Sequence, residues 1–202
     1  MLEKLPEALG HGLRDRRAGM DKIVIQSKLP ALAALEVSSP AFENDTPIPV
    51  KYTADGEGLS PPIEWKGIPA QASSVVVIVE DADAPTAKPL VHLIVVNLPA
   101  RDGGLREGEI QRAERLESGA DTGRNSFLRA AWLPPDPPPG HGQHRYVFQV
   151  FAISGSMKFG EHPGRSAVVE VLGERAIAAG QLVGTYERGE QMIELPGEQA
   201  GA

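Results

Sequence analysis

Apolar residues in this chain come in short runs broken by glycine and proline, and those runs set the elements. Ser74–Val79 is an unbroken β-branched stretch, the pattern of a strand covered on both faces, and Leu90–Val96 repeats it with one histidine inside. Arg145–Ile153 alternates and predicts a third strong strand. Residues 48–53 predict an early strand, which Pro49 places at an edge or a strand start. A turn cluster fills 56–62, and Leu182–Tyr186 predicts a last strand. Helical spacing occurs twice. Leu2, Leu5, Leu9 and Leu13 share one face of a short amphipathic helix over 1–19, followed by Arg14, Arg16 and Arg17. Ser166 opens a second helix carrying Val168, Val169, Leu172, Ala176 and Ala179, with Gly180 ending it. Residues 101–124 are glycine-rich, charged and without period, a long excursion of the kind that often carries function. The expected organisation is an N-terminal helix and linker over 1–36, one mostly β domain over 37–188 and a polar tail over 189–202.

Composition narrows the function classes. The 202 residues include 22 glycines and 18 prolines, which favours turns and short elements over a helical bundle. Twenty basic residues against 27 acidic ones give a net charge of −7, and aromatics are 5%. Neither a basic stripe nor a base-stacking surface has the material it needs, so no nucleic-acid partner is expected. The absence of cysteine removes disulfides, thiolate metal sites and cysteine nucleophiles. No run approaches membrane-spanning length and the N-terminus lacks a signal-peptide pattern, so the expectation is a cytoplasmic protein without stable membrane insertion.

Candidate chemistry concentrates at the mouths of the strong strands. Glu80-Asp81-Ala82-Asp83-Ala84-Pro85 closes one run, and His92 lies seven residues after the proline. Pro137-Pro138-Pro139-Gly140-His141-Gly142-Gln143-His144-Arg145-Tyr146 opens another. Asp81 and Asp83 point the same way if extended; as aspartates in a turn they can equally serve to hold the loop. His92 alone in an apolar strand reads as a core histidine. With His141, His144 and Tyr146 it reads as part of a site, in which a carboxylate orients an imidazole toward an anion. Gly140 and Gly142 allow close backbone approach, and the prolines fix it at low entropic cost. A competing account gives Asp81, His92 and His144 to a metal, as a metal-assisted hydrolase. Neither Gly-x-Ser-x-Gly nor a Gly-rich loop ending in Lys-Ser/Thr occurs, and Ser126 lacks the second glycine of a nucleophile elbow.

These segments resemble the two signatures of the phosphatidylethanolamine-binding proteins, in particular their bacterial and archaeal branch. Asp81-Ala82-Asp83-Ala84-Pro85 stands where that family has Asp-Pro-Asp-Ala-Pro, and His92–Asn97 matches its histidine strand. Residues 137–146 match the proline-glycine motif leading into His-Arg-Tyr. Flanking matches are Ser39–Phe42, Leu59–Pro62, Gly123–Phe127 and Leu182–Tyr186. The resemblance implies a large central β-sheet, a smaller second sheet and peripheral helices including a C-terminal one. It implies a non-catalytic protein without cofactor, whose pocket takes a small anion such as phosphate, phosphoethanolamine or a carboxylate. Asp81, His92, His144 and Tyr146 would line that pocket, with Asp83 in the same signature and Ala84, Pro85, Pro137 and Pro138 shaping its wall. A homodimer, and a protein partner such as a kinase, are implied as well. Ala82, Val91, Leu128 and Pro134 depart from the family's usual residues.

Overall fold

The computed structural model describes residues 7–26, 32–110, 116, 118–155 and 159–189. Ten strands run in chain order: β1 (Ala33–Ala34), β2 (Glu36–Ser38), β3 (Thr46–Pro47), β4 (Ile63–Lys66), β5 (Ala72–Asp81), β6 (Leu90–Leu98), β7 (Gly103–Leu105), β8 (Asp121–Thr122), β9 (His144–Ser154) and β10 (Ala176–Tyr186). Helix α1 covers Glu7–Leu13 and α2 covers Arg165–Arg175. The large sheet has the order β1-β10-β9-β5-β6-β8, with β3 also alongside β10; β2-β4-β7 form the smaller sheet. Among the described residues, only β1 and β3 run parallel to their neighbour; the other pairs are antiparallel. The mostly β architecture with a second, smaller sheet is as the sequence implies.

The unbroken apolar runs are explained by cover on both faces of the large sheet. Val75, Val77 and Val79 of β5 face the smaller sheet, packing with Leu93, Phe148, Ile63 and Trp65. Val76 and Ile78 face the other way, onto Phe151, Val24 and the α2 residues Val168, Val171 and Leu172. Each of these five β5 side chains is fully buried, a stabilisation of about 1.5–3 kcal/mol for each. With both faces so loaded, sliding the register would place each side chain in a space shaped for another.

Three expected elements differ from what forms. Helix α2 stops at Arg175, and residues 176–179, expected as its last turn, are already strand β10. The alanines there favour a helix locally, but their ladder with Val150–Ile153 of β9 prevails. Gly180 therefore does not end a helix: its backbone lies against Leu35, where a Cβ would collide with the carbonyl oxygen of that residue. Ser166 is likewise not the cap, since Gly164 holds that position. The strand expected over 48–53 does not form; β3, Thr46–Pro47, ends just before it. Val50–Tyr52 instead makes a 3₁₀ turn opened by Pro49, which has no N–H to offer a ladder.

The described part of the N-terminal helix is seven residues long, and Leu2 and Leu5 lie outside the described residues. It lies against the domain at Gly10, where a Cβ would overlap the Pro139 carbonyl, and at the Leu13 carbonyl, while Leu9 is 45% exposed. The segment after it is tied down by backbone hydrogen bonds, from Ala18 N–H to the Ala84 carbonyl (2.9 Å) and from Gly19 N–H to the Ala82 carbonyl (2.8 Å). The 101–124 excursion contains β7 and β8; residues 111–115 and 117 lie outside the described residues.

Candidate ligand-binding site

Three adjacent strands bring the chemistry together. Asp81 is the last residue of β5, His144 the first of β9, and Tyr146 pairs directly with Asp81. On the other side of β5 the register runs Val79 to Leu93 and then Glu80 to Val91, which leaves His92 as the extra residue of a β-bulge. The bulge turns His92 onto the face that carries Leu93 and Tyr146, with its ring edge-on to Tyr146 at 5.1 Å between centroids. In a run where every neighbour is apolar, no sequence pattern marks that re-aiming.

Asp81, His92 and His144 line one end of a cavity of about 400 Å³. Its walls include Ala84, Pro85, Leu90, Leu133, Pro137 and Pro138, with Phe127, Arg129 and Asp136 also lining it. That volume lies within the range of small-molecule sites. Of the residues anticipated from sequence, these seven meet here: Asp81, Ala84, Pro85, His92, Pro137, Pro138 and His144. Tyr146 stands behind His92 rather than in the lining, its hydroxyl buried and without a hydrogen-bond partner among the described residues. Burial pushes that phenol well above its ordinary range, and the charges of Asp81 and Asp136 push the same way.

Asp83 is placed elsewhere, in a buried clasp. Its Oδ2 accepts from Arg145 N–H (2.9 Å) and Nε (2.7 Å), its Oδ1 from Arg145 Nη2 (2.7 Å), and Arg17 Nη1 lies 3.0 Å from Oδ1. Burial alone would raise this carboxyl, but the hydrogen bonds from Arg145 and Arg17 outweigh it and hold it below its ordinary value. The turn-holding account of Asp83 is the one its contacts fit.

A linear hydrogen-bonded array anchors the floor. Asp81 Oδ2 meets His144 Nδ1 at 2.8 Å, and His144 Nε2 meets His141 Nδ1 at 2.6 Å. His141 Nε2 in turn meets the carbonyls of Leu13 (2.8 Å) and Arg16 (3.2 Å). The links from Asp81 through to the Leu13 carbonyl need three protons, while a carboxylate and two neutral imidazoles bring two. The array is complete when it holds one more, and its net charge is then zero. The sequence groups His141 with the site histidines; its role in the array depends on backbone from residues 13–16 arriving beside it. Asp81 Oδ1 is also used, accepting the Asp83 N–H at 2.8 Å.

His92 is arranged differently. Its Nδ1 donates to the Leu133 carbonyl at 2.6 Å, and Nε2 is buried with no partner among the described residues. Burial pushes the imidazole below its ordinary pKa, against the opposing pull of Asp81 and the Leu133 hydrogen bond. The opposite wall is braced by Arg188, a residue with no sequence signal. Its Nη1 donates to the Pro137 carbonyl (2.9 Å), while its Nη2 reaches Asp136 (2.8 Å) and Asp55 (2.7 Å). Asn125 shapes the rim, its Oδ1 accepting from the N–H groups of Phe127 (2.9 Å) and Arg129 (3.1 Å). Leu128 sits at the tip of that turn with a positive φ of 61°, a conformation glycine adopts freely.

The model of the phosphatidylethanolamine-binding protein family matches residues 38–187, a span that holds every strand of the site. The chain belongs to that family. Among curated proteins, the family's UPF0098 proteins are similar to it. The one from Methanothermobacter thermautotrophicus is 33% identical over 155 residues, covering 77% of this chain and 100% of the relative. The one from Aquifex aeolicus is 37% identical over 158 residues, covering 77% and 90%. Two solved structures agree. The phosphatidylethanolamine-binding protein homologue from Chlamydia trachomatis is 33% identical with a TM-score of 0.68, over 77% of this chain and 98% of that one. YbcL of E. coli is 28% identical with a TM-score of 0.71, over 76% and 98%. The described residues ahead of position 38 lie outside the family match. They nevertheless reach the site, because Leu13 and Arg16 terminate its histidine array.

Proposed function

We propose that this protein is a non-catalytic receptor for a small oxyanion-bearing ligand of the phosphoethanolamine type, and that occupancy of its cavity is read by a protein partner. The observation that carries the reading is His92, whose buried Nε2 has no partner among the described residues and which lines an otherwise largely apolar cavity beside Asp81 and His144. A buried polar atom is costly when left unpaired, by about 1–3 kcal/mol, and a ligand that pairs it recovers that cost. The lining contains no serine, threonine or lysine to act as a nucleophile, which supports binding over hydrolysis. The metal-hydrolase alternative fits the donor set poorly. Both nitrogens of His144 and both oxygens of Asp81 are already committed to protein partners, leaving His92 alone with an open ligand atom. At the rim, Phe127 is 56% exposed and Leu128 79%, an apolar pair suited to contact with a partner.

The test is calorimetric titration of phosphoethanolamine into the parent protein and into His92→Asn. The asparagine amide can still donate to the Leu133 carbonyl but has no atom where Nε2 stood. Affinity in the variant is expected to fall about tenfold or more, as for one lost hydrogen bond in a desolvated site. Equal affinity in the two proteins would count against the assignment.

A further inference from the structure

Resting on that reading, we propose that the cavity takes its oxyanion in the singly protonated form, with the ligand's own P–O–H donating to His92 Nε2. The geometry sets the direction of this hydrogen bond. Because Nδ1 is spent as a donor to the Leu133 carbonyl at 2.6 Å, the ring's other nitrogen, Nε2, presents a lone pair. A second proton on this ring is opposed by its burial, at 3% exposure.

The groups around His92 reinforce the requirement. From β5 it faces the Asp81 carboxylate, from β9 His144 and Tyr146, and from the 132–138 segment Trp132 and Asp136. His144 has no N–H to spare, since Nδ1 points at Asp81 and Nε2 at His141. Asp136 is already paired with Arg188 and Asp81 with His144, so the lone pair of His92 is what a fully deprotonated oxyanion would meet without a proton between them. Arg129, also in the lining, supplies a guanidinium that can meet the ligand's negative oxygens. A monoprotonated phosphate monoester satisfies both ends, with one negative charge toward Arg129 and one O–H toward His92.

Methyl phosphate and methyl sulfate separate the proton from everything else. At pH 5.5 both are monoanions of nearly the same shape, and only the phosphate carries a proton. Calorimetry on the full chain should give methyl phosphate at least tenfold the affinity of methyl sulfate at that pH. Raising the pH to 7.5 should weaken methyl phosphate about 20-fold, because a phosphate monoester loses its second proton with a pKa of about 6. Methyl sulfate should not change. Equal binding of the two esters at pH 5.5, or a phosphate affinity that is flat or rises with pH, overturns the protonated-form proposal while leaving the oxyanion receptor intact. Ethanolamine serves as the third arm: binding of the amine with neither ester removes the oxyanion reading itself. Failure of all three to bind removes both.

Discussion

His144→Ala is expected to abolish phosphoethanolamine binding and to cost about 3–5 kcal/mol of stability, the range for a buried ionic partner removed from its counterpart. The substitution takes the middle out of the array. Asp81 Oδ2 and His141 Nδ1 both lose their partner, in a region where Asp81 is 3% and His141 0% exposed. The cavity end also changes from zero net charge to one uncompensated carboxylate. A like charge about 5 Å from a bound anion costs about 3 kcal/mol at an effective dielectric of 20, a factor of about 100 in affinity. If the array's charge is what matters, Asp81→Asn added to His144→Ala should recover about 1–2 kcal/mol, because it neutralises the stranded carboxylate. Urea unfolding of the parent, single and double variants measures this. A double variant no more stable than His144→Ala would show that charge stranding is not the cause.

Glu80→Ala should be comparably damaging, from the other face of the same strand. Glu80 is fully buried, and its two oxygens collect three donors: Arg165 Nε (2.6 Å), Val24 N–H (2.8 Å) and Gln149 Nε2 (2.8 Å). Gln149 in turn accepts from Ile25 N–H at 2.7 Å, and Arg165 Nη2 donates to the Lys22 carbonyl at 2.8 Å. This cluster is what seats residues 22–25 against the sheet. Alanine leaves the three donors without an acceptor, for an expected loss of about 3–5 kcal/mol by urea unfolding. Glutamine should rescue only in part, since its NH₂ group meets another donor whichever way the amide is turned. A loss under about 1 kcal/mol for the alanine variant would mean that water replaces the carboxylate at little cost.

The two clusters show where reading the sequence succeeds and where it stops. The β-branched runs were enough to place β5 and β6, since a strand buried on both faces needs apolar residues throughout. The signatures around Asp81 and residues 137–146 were enough to place most of the cavity wall. What escaped detection depends on contacts between segments far apart. The helical pattern through Ala176 and Ala179 is real as local preference, and the ladder with β9 overrides it. The bulge at His92 is fixed by its neighbours' register, which no run of apolar letters displays. Asp83 and Asp81 have the same letter and similar surroundings in the chain. Their difference, a clasp against a site, lies in Arg145 and Arg17 reaching one and His144 the other. Arg188, 51 residues beyond the Pro137 carbonyl it braces, gave no warning at all.

The central claim is that the bulged histidine of β6, beside the β5 and β9 termini, forms the polar end of a receptor for a phosphoryl headgroup. A crystal structure of the protein grown with phosphoethanolamine at low pH addresses it in one measurement. The account predicts the phosphoryl group inside the cavity, with one oxygen within hydrogen-bonding distance of His92 Nε2. A phosphoryl group bound on the outer surface, with His92 Nε2 still unpaired, contradicts it.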